Sequence, residues 1–391
     1  MNGARPLAVV LALLAAGCLG PAEPELRAVA IVADGSLAPG EHRVEAGARL
    51  VAEGTVPLTL AIPDGAVLEL RDGRAEGGHG LVLRVEAGGT LLMHGVQASA
   101  VRVLLEPGAS ARIVDSTLGL GAGGIHARNA SLALVGGLLH GSTEEWLRVE
   151  GGTATVAGTS FVDSGGGRPG IAATGADLRI ADARLDGAKG YGIQAQGGLL
   201  RVERTTVASA NDYGLQASGG RVELADNRWE AFCGVFLGPG ATGRVERDLF
   251  VSAHRGLTLA QAGNVTVEGA RFEGVQHGAQ IHGGTARVAN STFARNDVAL
   301  SLDADGNATV VGNRFTANGG ALEVHAPSGV HVRGNGFEGS VRFAVANRGA
   351  TPLDARGNWW GRASGPVLGP AAEVQGDVNA DPWLEQPETG G

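Results

Sequence analysis

Residues 257–278 read LTLAQAGNVTVEGARFEGVQHG, and this stretch decides the fold. Leu257-Thr258-Leu259 alternates apolar and polar, Gly263-Asn264 supplies a turn, and Val265-Thr266-Val267 alternates again. Ala270-Arg271-Phe272 forms a third short run before His277-Gly278 closes the unit. Period-two alternation interrupted by Gly and Asn marks short strands, and no long apolar stripe offers a helix. The same grammar recurs on both sides. Apolar-x-apolar triplets begin at Leu81, Val103, Ile125, Leu147, Ile171, Ile193, Leu215, Val235, Leu257, Ala279, Leu300, Leu322 and Val345, with gaps of 20 to 24 residues. A second ladder keeps the same phase: Phe161, Leu185, Val207, Trp229, Phe250, Phe272, Phe293, Phe315, Phe337 and Trp359.

A unit of about 22 residues with three short strands cannot bury its apolar side alone, but stacked units bury a continuous one. Stacking also pairs each strand with its neighbours, about 4.8 Å above and below. The expected fold is all-β: a single-stranded parallel β-helix of about 13 coils with capped ends. Asn at the corners, as in Asn313-Arg314-Phe315 and Asn335-Gly336-Phe337, is expected to satisfy turn amides with its side chain. Propeller blades need about 40 residues and four strands, which this period does not provide.

Composition agrees. Gly 66 and Pro 15 among 391 residues approach twice the usual share, while aromatics are 4% and apolar residues 43%. The core must therefore come from Val, Leu, Ile and Ala. Lys+Arg 31 against Asp+Glu 40 gives a net charge of −9, which disfavours a nucleic-acid partner. Lys189 is the single lysine. After Cys18, Cys233 is the remaining cysteine, so an internal disulfide is not expected.

The repeat closely resembles the right-handed parallel β-helix repeats of pectate-lyase-like proteins, including NosD-like ones. The ending Asn358-Trp359-Trp360-Gly361, Ser364-Gly365-Pro366 and Pro382-Trp383-Leu384 resembles the NWWG…SGP…PWL tail of extracytoplasmic β-helix proteins. Its tryptophans are expected to plug the end of the core. At the other terminus, Arg5 precedes an apolar run ending at Ala15-Ala16-Gly17-Cys18, which resembles a lipoprotein leader. That resemblance implies export, lipidation of Cys18 and contact with a membrane through the lipid alone. The expected organisation is a signal peptide over 1–17, a tether over 18–28, and an N-terminal cap with irregular first coils over 29–80. The β-helix proper then covers 81–361, and a C-terminal cap and tail covers 362–391. A monomer is expected.

Register places side chains. Two and zero residues from each triplet's start point inward, and one and three point outward. The outward face includes Gln194, Gln216, Phe236, Thr258, Gln280, Ser301 and Glu323. On it, His282, Asp303 and His325 share one column and could hold a divalent metal. A second strip lies at the turn before the triplets: Tyr191, Tyr213, Cys233, Arg255 and His277, flanked by Asp212, Phe232, His254, Gln276 and Asp297. Tyr191, Gln194, Tyr213, Gln216 and Gln280 are carbohydrate-binding candidates. Asp212, His254, Arg255 and His277 offer acid, base and cation for lyase or epimerase chemistry.

The pectate-lyase calcium cluster, the paired aspartates of polygalacturonases and the Asp-Pro-His motif of alginate epimerases are absent from this sequence. The leading expectation is accordingly a non-enzymatic, envelope-anchored protein that binds polysaccharide. The competing one is a polysaccharide lyase, hydrolase or C5-epimerase acting on acidic glycans. A third, NosD-like, reading handles metal through His282 and His325.

Overall fold

The computed structural model describes residues 29–32, 35–36, 40–44, 49–52, 58–252, 254–326, 328–368 and 373–387. The leader, Cys18 and the tether lie outside them. The chain divides into two compact units, residues 1–189 and 190–391. Each is an all-β parallel solenoid, and the described residues contain no helix.

In unit 1, Ser110–Val114 pairs in parallel with Thr90–His94 on one side and Ser131–Val135 on the other. Ile125–Arg128, Leu147–Glu150 and Ile171–Thr174 stack in a second sheet, with Ile125, Leu147 and Ile171 in one column. Parallel pairing already begins at Val29–Val32, which lies against Arg49–Ala52. One rung differs from the sequence ladder. Leu83, not Leu81, pairs with Val103, because register shifts between Glu76 and Leu81. The slip is two residues, so the inward face is preserved.

In unit 2, Leu215, Val235, Leu257, Ala279, Leu300, Leu322 and Val345 are register partners in the order the sequence implies. Inside, Phe250, Phe272, Phe293, Phe315 and Phe337 stack with centroids 4.6 to 4.9 Å apart and are fully or almost fully buried. The last rung is Trp360, at 5.1 Å from Phe337, and not Trp359. Trp359 instead forms a bridge with Gly336 at the edge. Trp360 is buried, so it closes the apolar column as a plug.

Asparagines stack at the corners. Asn313 Nδ2 donates to Val288 O at 2.9 Å and to Asn335 Oδ1 at 3.0 Å, while Asn313 Oδ1 accepts from Ser291 N at 2.9 Å. Asn335 and Asn358 repeat the pattern. The residue before each is in the left-handed region: Gly312 at φ 66°, Gly334 at 64° and Gly357 at 68°. That conformation turns the chain and aims the following amide inward.

Candidate functional site

The polar strip of unit 2 exists because of a glycine column. Gly234 and Gly256 sit just before the triplets, where a Cβ would lie 2.3 Å and 2.4 Å from the next coil's carbonyl oxygen. The same Cβ would lie 2.9 Å from Phe250 at Gly234, and 2.8 Å from Phe272 at Gly256. Glycine lets the backbone pass close over the aromatic stack. The residues before these glycines, Cys233 and Arg255, belong to the strip, Cys233 buried within it and Arg255 half-buried.

Tyr213, Cys233, Arg255 and His277 are successive register partners. Cys233 is small and buried, so Arg255 reaches across it and donates from Nη1 to Tyr213 Oη at 3.3 Å. Burial pushes the Cys233 thiol up, although Arg255 opposes the shift, and this favours the protonated form. Tyr191 stacks on Tyr213 at 6.4 Å, and Tyr213 contacts Phe236 at 5.4 Å. Burial and then Asp212 raise the Tyr191 phenol. Asp212 thus acts on Tyr191.

Burial, His254 and Arg255 together hold His277 below the ordinary histidine value, against the pull of Asp297 and Asp303. Its ring meets His254 edge-on at 6.0 Å. His254 hydrogen-bonds Gln276 through Nδ1 and stacks on Phe232 at 5.4 Å. Phe232 is 52% exposed, an unusual position for a phenylalanine, and offers a flat apolar platform beside the strip.

Four polar atoms on two adjacent coils are shielded and have no partner: Arg255 Nε, Thr258 Oγ1, His277 Nδ1 and Gln280 Oε1. Each such atom costs about 1–3 kcal/mol when left unpaired, so this floor is maintained against stability. Gln194 and Gln216, by contrast, bond one another at 2.8 Å.

The His282 column is altered. His282 pairs with Ala304, because a bulge leaves Asp303 out of the ladder. Asp303 nevertheless lies between the imidazoles, Oδ2 at 3.4 Å from His282 Nδ1 and Oδ1 at 3.7 Å from His325 Nε2. Glu323 is also 3.7 Å from His325 Nε2. Among the described residues, three potential ligand atoms come mutually within 4.8 Å at another place, His126, Glu144 and Glu145 of unit 1. The repeat pattern did not mark these, because Glu144 and Glu145 lie in a turn.

Fold and strip together describe a β-helix with a built polar face. Residues 169–337 match the model of the right handed beta helix region family. None of the curated proteins matches the chain in sequence. Among solved structures, a mutant of the periplasmic alginate epimerase AlgG is 12% identical, covering 78% of this chain and 84% of its own, with a TM-score of 0.51. The A-module of Azotobacter vinelandii mannuronan C-5 epimerase AlgE4 is 11% identical, covering 89% and 91%, with a TM-score of 0.32. At such identity the likeness to AlgG speaks to the fold alone.

Proposed function

We propose that this chain is an extracytoplasmic protein that acts on acidic polysaccharide, removing the C5 proton of a uronate residue. The carrying observation is the Tyr213–Arg255–His277 column above its unpaired polar floor. Arg255 pairs with the uronate carboxylate and stabilises the enolate that forms when the C5–H bond breaks. His277, kept neutral by its surroundings, accepts that proton. Tyr213 donates a proton from its phenol. Delivered to the departing O4, it completes β-elimination with a C4=C5 double bond; delivered to the opposite face of C5, it completes epimerisation. Phe232 and His254 supply a stacking surface for an adjoining sugar ring. That the AlgG structure is one of a periplasmic alginate epimerase supports the choice of substrate class. The leader supports export and lipid anchoring through Cys18, which mass spectrometry of the mature N-terminus tests.

Incubation with a polyuronate in D2O separates the outcomes. Turnover gives unsaturated ends in ultraviolet absorbance, or C5 deuterium in NMR, and His277→Ala lowers it roughly a hundredfold to ten-thousandfold. Because the His277 value is lowered, the ring stays neutral into mild acid. Activity is expected to fall only as pH drops below about 6.5. Binding with neither product, across uronates of differing configuration, would leave a carbohydrate-binding protein without catalysis.

A further inference from the structure

Unit 1 carries a groove of about 170 Å³ lined by Arg102, His126, Arg128 and Arg148, together with Glu106 and Glu150. His126 and Arg148 are register partners, as are Arg128 and Glu150. Arg102 passes over Gly123, where a Cβ would lie only 3.0 Å from its Nε. A glycine there makes space for the guanidinium.

The arginines differ in what they hold. Arg128 has Glu106 at 3.8 Å and Glu150 at 3.4 Å, and Arg148 has Glu145 and Glu150. Arg102 has no carboxylate partner among the described residues, and its Nη2 lies 3.3 Å from His126 Nδ1. A guanidinium only donates, so His126 Nδ1 accepts and its ring proton sits on Nε2. That Nε2–H, Arg102 Nε and Arg148 Nε are all shielded and all lack an acceptor. Burial, with Arg102 and Arg148, holds His126 below its ordinary value, so the ring is neutral.

A divalent cation is a poor occupant. Burial opposes ionisation of Glu145, but its backbone N–H, Arg148 and Arg168 outweigh it and keep the carboxylate charged, with Oε1 held by the two arginines and Oε2 shielded without a donor. Metal binding through His126 Nε2 would move the ring proton to Nδ1, against Arg102. The lining holds three guanidiniums against two carboxylates, and its three unmet N–H donors outnumber the one unmet acceptor beside them, Glu145 Oε2, which leaves a place for an anionic acceptor.

We propose that this groove binds the oxyanion of an acidic sugar, a carboxylate or a sulfate, with Arg102 as its main cation. The choice of sugar rests on the acidic-glycan reading above, whereas the donor set is independent of His277. Arg102, His126 and Arg148 are half-buried and line the groove, and binding requires their side chains to turn so that the shielded N–H groups face the ligand.

Titration calorimetry on the full chain carrying His277→Ala, which slows any turnover, tests this with a uronate trisaccharide, a sulfated trisaccharide and a neutral one. Two uronate sites are expected, and adding Arg102→Gln removes one, with at least a tenfold loss of affinity there. Arg102→Lys keeps the charge but not the fork, and is expected to lose less. The preference between uronate and sulfate identifies the group bound, and added salt weakens binding. Unchanged affinity and stoichiometry in a folded Arg102→Gln protein, or equal binding of the neutral trisaccharide, overturns the proposal. If the unit 2 reading alone fails, the parent shows one site, and that site is lost with Arg102.

Discussion

Asp248 stands in a corner column otherwise built from uncharged residues, and its neighbours explain why. It is fully buried; Oδ1 accepts from Asn227 N at 2.9 Å and Asn227 Nδ2 at 3.1 Å, and Oδ2 accepts from Trp229 Nε1 at 2.7 Å. An asparagine here would keep the first oxygen but point an NH2 at the indole N–H, donor against donor. Further along, asparagine rungs accompany phenylalanines, which carry no such donor. Trp229 and Asp248 are therefore a matched pair. Trp229→Phe and Asp248→Asn are each expected to destabilise by about 1–3 kcal/mol, the double variant by clearly less than their sum, as urea unfolding will measure. Burial also pushes the Asp248 carboxyl up to about 7, despite its three N–H donors. The folded state then binds a proton that the unfolded state, titrating near the ordinary value of about 4, has released. The contribution is complete below pH of about 4 and is lost as pH rises to about 7. Stability of the wild type relative to the double variant should accordingly fall across that window and stay level above it.

At the scale of the element, one side chain serves two coils, and this sets which changes matter. Asn313→Ala leaves Ser291 N without its acceptor in the core and removes the donor to Val288 O and Asn335 Oδ1, for an expected loss of about 1–3 kcal/mol. The adjacent Arg314 makes an exposed ion pair with Glu338 at 3.0 Å, and Arg314→Ala should change stability by less than about 1 kcal/mol. Thermal or urea unfolding of the two variants, one residue apart, checks the contrast. These ladders were legible in the sequence because interior positions recur with the coil: Phe272, Phe293 and Phe315, or Asn313 and Asn335, cannot move without breaking the stack. Local departures were not legible. The bulge at Asp303, the slip that makes Leu83 the partner of Val103, and the choice of Trp360 over Trp359 each depend on how a turn is filled. The strip was visible as a set of residues. That Arg255 crosses Cys233 to Tyr213, and that four polar atoms beneath are stranded, follows from packing that periodicity does not encode. The Arg102 groove escaped altogether, since Arg102 stands at a different offset of the repeat from the register partners His126 and Arg148.

For the molecule as a whole, a solenoid makes stability a sum of coil terms and nearest-neighbour interfaces. Removing one full coil from unit 2 should therefore shorten it without disturbing the rest. Deleting residues 292–313 joins Ser291 to Arg314, which already pairs with Thr292 and takes its place. Phe315 then falls on Phe272, and Asn335 offers its carbonyl oxygen to Ser291 N as Asn313 did. The glycine column and the Tyr213–Arg255 contact lie on coils that are left intact. The shortened chain is expected to keep its β-type circular dichroism and unfold cooperatively, with an m-value smaller by roughly a twentieth, in line with the surface removed. Deleting residues 292–302 removes half as much but an odd number, so it turns inward side chains out and misplaces the aromatic rung. The smaller deletion should do the greater damage, losing the cooperative transition and binding a hydrophobic dye. If the full-coil deletion were instead the one to lose cooperative unfolding, the coils would not be acting as interchangeable layers.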